Sequence, residues 1–244
     1  MHKLIYLLTP DPDDTRAAMV ARVMQAGARL AALGPAGLRI NVQDAGVDWG
    51  DAVDHHPALK LKSEYGPFEA VVQIWLDDAG DIARSPHEAI ISQLAPLHHG
   101  YLVKERLLVH NLRQSARPGD RNDGYSQMAV LQIPDWLDEA EWRQRWQGRH
   151  SWVAISIHPH LEYIQNRVLR AVTAGAPPIT GIGEEAFPIE GLHDERPLFR
   201  GGEKSEAKFK ELYEIMYEDA SRFIDFGKLD MLVSSQFDLV RPVR

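Results

Sequence analysis

Leu4-Ile5-Tyr6-Leu7-Leu8-Thr9-Pro10-Asp11 is answered 124 positions later by Met128-Ala129-Val130-Leu131-Gln132-Ile133-Pro134-Asp135. Each is a short apolar run closed by Pro-Asp, the pattern of a strand entering a turn. The echo continues in order. Leu38-Arg39-Ile40-Asn41-Val42-Gln43 matches Leu161-Glu162-Tyr163-Ile164-Gln165-Asn166 at an offset of 123, and Val72-Gln73-Ile74-Trp75-Leu76-Asp77 matches Ile189-Glu190-Gly191-Leu192-His193-Asp194 at 117. Loops absorb insertions and paired elements do not, so one connection is about six residues longer in the first copy. Two copies of this length predict a fold duplicated within one chain, because solenoid arrays need shorter periods and several units.

Each half reads strand, helix, strand, strand, helix, strand. In the first, strands are expected at 3–8, 38–43, 69–76 and 101–110, with helices over 14–33 and 87–97. Asp13, Asp14 and Thr15 supply oxygens to cap the first helix, and Gly34-Pro35 stops it. In the second, strands are expected at 127–133, 161–172, 187–193 and 229–240, with helices over 137–157 and 205–223. The stretch 113–125, rich in Gly, Pro, Asn and Asp, links a half spanning 1–112 to one spanning 126–244. A βαββαβ order is the ferredoxin-like pattern, with both helices on one face of an antiparallel sheet. The other face needs a partner, and two sheets packed face to face in a tandem chain satisfy each other. The expected class is therefore α+β, two ferredoxin-like halves closing an intrachain barrel.

Composition narrows the partners. With 244 residues, 44% hydrophobic and 25% charged, the chain has an ordinary globular balance. A net charge of −8 offers no electrostatic footprint for phosphate backbones or anionic lipid, so neither nucleic acid nor membrane is expected as a partner. The absence of cysteine excludes disulfides, thiolate zinc sites and cysteine nucleophiles. The apolar opening is too short for a signal-peptide core, which leaves the cytoplasm as the expected location.

Trp142-Arg143-Gln144-Arg145-Trp146-Gln147-Gly148-Arg149-His150-Ser151-Trp152-Val153, followed by Leu161-Glu162-Tyr163-Ile164-Gln165-Asn166-Arg167-Val168, resembles the EthD-domain family of dimeric α+β barrel proteins. That family carries a Trp four residues before a helical His, then a strand reading roughly Tyr-x-Gln-Asn-x-Val. Trp146, His150, Tyr163, Gln165 and Asn166 match it position by position. Glu190 and Asp194 match its next strand, Glu-x-x-Phe-Asp, with His193 in place of the aromatic. Projected back by the same offsets, Gly27 stands where His150 does, Ile40 where Tyr163 does, and Gln73 where Glu190 does. The resemblance thus implies one equipped site, in the second half. The alternative is that the first copy drifted because those side chains were never needed.

On a helical wheel Trp142, Trp146, Val153 and Ile157 share an arc about 60° wide, with His150 just beyond its edge. A histidine at the border of a buried stripe suits a general acid or base; it equally suits a packed imidazole bonded to a carbonyl. Tyr163 and Gln165 share strand parity, whereas Asn166 points to the opposite face. Tyr163 is the candidate for polarising an oxygen, and Glu190 for orienting His150 or serving as a second base, against the plain readings of core packing and a solvated carboxylate. Trp146, Gln165 and Asn166 are candidate substrate contacts. The neighbouring His55-His56, His98-His99 and His158-Pro159-His160 lack the spacing of four that favours a shared metal on a helix, and the last pair is expected to be solvated. Segment 47–67, with Trp49, His55, His56 and Tyr65, is a candidate lid.

The function these features imply is a small enzyme without a metal or organic redox cofactor, acting by proton transfer on an apolar aromatic or polyketide-like molecule. Relatives of this barrel include cyclases, isomerases, dehydratases, decarboxylating enzymes and cofactor-independent monooxygenases. Two other readings stay open: a non-catalytic protein that binds a hydrophobic metabolite, and a haem protein with His150 as axial ligand. A second copy of the chain is a candidate partner.

Overall fold

The computed structural model describes residues 1–47, 61, 63–111 and 113–242. The first half contains β1 (His2–Thr9), α1 (Arg16–Ala32), β2 (Gly37–Val42), β3 (Ala70–Leu76), α2 (Asp81–Ile91) and β4 (Leu97–Val109). The second contains β5 (Tyr125–Leu131), α3 (Glu139–Arg143), a π-helical segment (Gln144–His150), α4 (Ser151–Ile157), β6 (Glu162–Ala171), β7 (Gly181–Phe187), α5 (Glu206–Ala220) and β8 (Asp230–Val240). The chain is α+β, and both halves have the βαββαβ order.

The sheets do more than face each other. Their edges pair, β2 with β8 and β4 with β6, giving a closed antiparallel barrel in the order β1-β3-β2-β8-β5-β7-β6-β4. Closure removes every free strand edge. Period-two alternation then assigns each side chain to the interior or to the helices. Ile5, Leu7, Val71, Tyr101, Val103, Met128, Val130 and Leu232 fill one part of the interior. Leu4, Tyr6, Leu8, Leu38, Ile40 and Val72 point outward, against Met19, Val23, Ala26 and Leu30 of α1.

The remaining interior is charged. Arg39 donates to Glu162 at 2.7 and 3.1 Å and to Asp238 at 2.7 Å, and lies 3.5 Å from Glu184. Lys3 bonds Glu184 at 2.7 Å and pairs with Glu105 at 2.8 Å. Both cations come from the first half, and Arg39's three acidic partners from the second. Burial opposes charge on Glu184, but Lys3 and Arg39 outweigh it and bring its carboxyl down to about 2.

Local chemistry explains the helix starts. Thr15 caps α1 by accepting from the Ala18 amide at 3.2 Å, and the chain leaves through Gly34 at φ 72°. Asp138 caps α3 and Ser205 caps α5 in the same way. Three expectations need correction. Helix α2 starts six residues before position 87 and runs through Pro86, whose missing N–H orphans the carbonyl of Ile82, a residue exposed to solvent. The third strand of the second half is Gly181–Phe187, whose glycines hid its alternation, and Ile189–Leu192 is a 3-10 turn. The repeat holds at the level of elements, but its residue register differs. Gln73 bonds Asn41 in the first half as Glu184 bonds Asn166 in the second, so Gln73 corresponds to Glu184, not Glu190.

Of the candidate lid, Trp49, His55 and His56 lie outside the described residues. Tyr65 is half-buried against the barrel's apolar interior, and Leu61 reaches the second-half cavity.

Candidate functional site

Between the outer face of β5–β8 and the second-half helices lies a cavity of about 200 Å³. Its wall is mostly apolar: Leu131, Trp146, Phe187, Leu198, Phe199, Met216, Phe223, Ile224 and Leu229 all contribute. The titratable groups in the wall are His150, His158, Tyr163, Glu185, Glu195, Tyr213 and Tyr217.

The roof depends on the π segment. Its wide i→i+5 turn advances each residue by less than the 100° of an α-helix, so a position four beyond Trp146 is rotated back toward the buried stripe instead of onward past its edge. That brings His150, expected just outside the buried stripe, into line with Trp146. The Trp142 and Trp146 rings stack at 4.8 Å in a tilted pair above Gly181, where a Cβ would lie 2.6 Å from the Trp146 ring. The bare backbone of β7 is therefore what admits the two indoles.

His150 is only 12% exposed, packs on Phe223 at 4.7 Å, and joins Asp219 of α5 through Nδ1 to Oδ2 at 2.9 Å. Arg149 Nε donates to the other oxygen of Asp219 at 2.6 Å. Burial opposes ionisation of Asp219, yet the hydrogen bonds from His150 and Arg149 hold its carboxyl below the ordinary value. An ionised carboxylate can only accept, so Nδ1 carries the hydrogen and Nε2 is left for other work. Nε2 has no hydrogen-bond partner among the described residues.

The floor comes from β6 and β7. Tyr163 Oη accepts from Gln165 Nε2 at 2.9 Å, and burial raises the phenol well above its usual range, so it is a neutral O–H. Its ring stacks on His160 at 4.8 Å and 11°. His160 Nε2 bonds Glu185 Oε1 at 3.0 Å. Burial would raise the Glu185 carboxyl, but the His160 hydrogen bond and the charges of His160, His158 and His150 bring it down to about 2. His158 donates through Nδ1 to the Leu198 carbonyl at 2.6 Å, and burial lowers its pKa to about 4. The expectation that His158 and His160 are solvated is thus wrong. Pro159 ends the helix with an extended His158 and turns both rings under the cavity.

Of the expected site residues, His150, Trp146 and Tyr163 line the cavity together. Gln165 shares their face but sits behind them, bonding Tyr163 and, at 3.2 Å, the Trp146 carbonyl. Asn166 takes the opposite face, as its parity requires, and bonds Glu184 at 2.6 Å inside the barrel, away from the cavity wall. Glu190 is exposed in the 3-10 turn and absent from the cavity wall. Asp219, not Glu190, bonds His150, and Glu185 is the carboxylate that β7 presents to the cavity. Glu184-Glu185-Ala186-Phe187 carries the Glu-x-x-Phe spacing that would have marked the strand. Nothing in the sequence around Asp219 distinguishes it from the other acids of α5. In the first half a Cβ at Gly27 would lie 2.5 Å from Leu239 and 2.6 Å from Ile40, so aliphatic side chains already occupy that position.

No protein-family model matches the chain, and no curated protein is significantly similar to it. Solved structures are. The chain resembles an anthrone oxidase-like protein at 11% identity, with a TM-score of 0.52 over 99% of this chain and 95% of that one. A mutant chlorite dismutase from Candidatus Nitrospira defluvii in complex with cyanide gives 9% identity and a TM-score of 0.42 over 98% and 91%. No described helix is long and apolar enough to cross a membrane. At such identities the likeness is one of fold, and the fold is that of the dimeric α+β barrel, completed within a single chain.

Proposed function

We propose that this chain is a small enzyme that removes a proton from an apolar, oxygen-bearing aromatic or polyketide-like molecule bound in the second-half cavity. In this reading residues 1–112 are a scaffold whose own site has degenerated, and 126–244 are an EthD-like half that carries the chemistry. The observation that carries it is the Asp219–His150 hydrogen bond at the wall of an apolar cavity. A carboxylate that fixes the tautomer of a histidine and stabilises its imidazolium makes the free Nε2 a general base. A hydrophobic metabolite-binding protein has no need of that pairing.

His150 Nε2 would take a proton from carbon or a phenol. The Tyr163 hydroxyl, which accepts from Gln165 and whose own hydrogen has no acceptor among the described residues, would donate to the oxyanion that forms. Trp146, Phe187 and Phe223 would hold the aromatic body and exclude water. The resulting anion has two fates, reprotonation and capture by dioxygen. The likeness to an anthrone oxidase-like protein supports a polycyclic ketone or phenol as substrate class and keeps dioxygen as a reagent.

Haem would use the same Nε2 as axial ligand. The described cavity wall, however, has no Lys or Arg to meet propionates, and it presents the Glu185 carboxylate instead. These residues do not fit the group.

The test uses anthrone, whose methylene is acidic. Under nitrogen in D₂O the protein should accelerate deuterium exchange there, and His150→Ala should abolish the acceleration. Exchange no faster than the buffer blank, or unaffected by His150→Ala, rejects the reading.

A further inference from the structure

Glu185 in the cavity wall belongs to a second histidine–carboxylate pair, with His160 behind it, for which proton abstraction by His150 has no use. His150 descends from the helical roof, whereas Glu185 rises from β7 in the floor, so a flat molecule lying between them has one on each face. Glu185 Oε1 is bonded to His160 Nε2 at 3.0 Å, and His160 is held between the Tyr163 ring at 4.8 Å and the Phe187 ring at 5.2 Å. The contrast with His158 is informative. His158 spends its Nδ1 on a backbone carbonyl, a structural bond, while His160 Nδ1 is buried with no hydrogen-bond partner among the described residues. Among the described residues, the one polar attachment of His160 is thus to a carboxylate that lines the cavity.

We infer that Glu185, with His160 as its proton reserve, is a second catalytic group that serves the sheet-facing side of the substrate, so that the enzyme takes a proton from one face and returns one to the other. This rests on the proton-transfer reading above. In the forward step His150 Nε2 accepts the proton of a C–H bond on the helix side, and the electron pair passes to the carbonyl oxygen as an enolate. The His160 imidazolium then gives its Nε2 proton to Glu185, which passes a proton to carbon on the sheet side. One C–H bond breaks and one forms, His150 gains a proton, His160 loses one, and exchange with water resets both. No electrons leave the substrate, so the class of reaction is isomerisation, or loss of water where the returned proton goes to a leaving hydroxyl.

A single enantiomer of 2-methyl-1-tetralone, a bicyclic aromatic ketone with one enolisable stereocentre, reports this directly. In D₂O the wild-type protein should take up deuterium and racemise the ketone together. Glu185→Gln, nearly isosteric, should slow racemisation by about tenfold or more relative to deuterium uptake, because a single base returns the deuteron to the face it came from. His160→Phe, which keeps the ring stack, should give the same split, and thermal melts of both variants check that they are folded. Deuterium uptake with retention by the wild type, or undiminished racemisation by both folded variants, overturns the two-faced mechanism while leaving His150 as a base. Absence of any His150-dependent exchange overturns both readings.

Discussion

The hydrogen bond between His150 Nδ1 and Asp219 Oδ2, 2.9 Å long, joins two helices across 69 residues of sequence. It gives the imidazole one tautomer and one orientation. The same carboxylate holds Arg149, so a single buried Asp fixes two neighbours on the π segment. Asp219→Asn keeps the volume but removes the charge. It should lower His150-dependent exchange on anthrone by on the order of 10² or more while the protein stays folded. Unchanged exchange in a folded Asp219→Asn protein would show that His150 does not depend on Asp219.

His150 and Trp146 should separate function from packing. His150→Ala should reduce turnover by about 10² to 10⁴ and cost about 1–3 kcal/mol, chiefly because Asp219 loses a partner. Trp146→Ala should cost about 3–5 kcal/mol through the space left beside Trp142. The check is chemical denaturation of both variants beside their exchange rates. If His150→Ala is the less stable of the two yet keeps full activity in its folded fraction, His150 is structural.

Two glycines should respond differently to a methyl group. At Gly181 a Cβ meets the Trp146 ring at 2.6 Å and the Trp142 ring at 2.9 Å, rigid surfaces that cannot swing away. At Gly27 it meets the terminal methyls of Leu239 and Ile40, which can rotate. Gly181→Ala should therefore cost about 1–3 kcal/mol and disturb the cavity. Gly27→Ala should cost less and leave exchange intact. Melting temperatures and exchange rates of the pair test this together.

The interior ion network should be the strongest electrostatic link between the halves. Arg39→Met leaves Glu162 and Asp238 without their main cation in a place that water does not reach, at a cost of about 3–5 kcal/mol. Replacing Arg39, Glu162 and Asp238 together with apolar residues should recover much of that loss. A triple variant less stable than Arg39→Met would show that the network does more than neutralise itself.

Acid should unfold the protein in two stages. His158 has a folded pKa of about 4 against about 6.5 unfolded, so the unfolded chain binds the extra proton. Its contribution is complete above about pH 6.5 and is lost as pH falls towards 4. Glu184 and Glu185, at about 2 when folded, contribute stability that is present above their unfolded value and lost between about pH 4.5 and 2. Melting temperature against pH should be flat above about 6.5 and fall below it, and His158→Phe should flatten the upper limb. A fall confined to pH below about 4.5 in the wild type would remove His158 from the account.

How much of this was legible beforehand follows from the range of each interaction. Strand parity separated Tyr163 and Gln165 from Asn166, and the Trp146–His150 spacing marked the cavity-facing side of the helix, because both depend on residues within a few positions of one another. The third strand of the second half was displaced to 187–193 because Gly181 and Gly183 carry no side chain to alternate. At Gly181 that missing side chain is what makes room for Trp142 and Trp146, so the structural requirement erased the sequence signal. The α-helical wheel placed His150 at a border because nothing in Gln144–His150 announces a π turn.

By itself, then, the sequence determined the repeated βαββαβ order, the cap residues that start the helices and the faces on which side chains lie, all consequences of local steric and hydrogen-bonding rules. The tertiary structure alone decided that the sheets close edge to edge, and that Asp219 rather than Glu190 meets His150. It also decided that Glu185 and His160 form a second pair beneath the cavity. These are contacts between residues 25 positions apart for His160 and Glu185, 69 for His150 and Asp219, and about 200 for the pairing of β2 with β8. Their selection depends on burial and on the charge left unpaired if they fail, which no local pattern encodes.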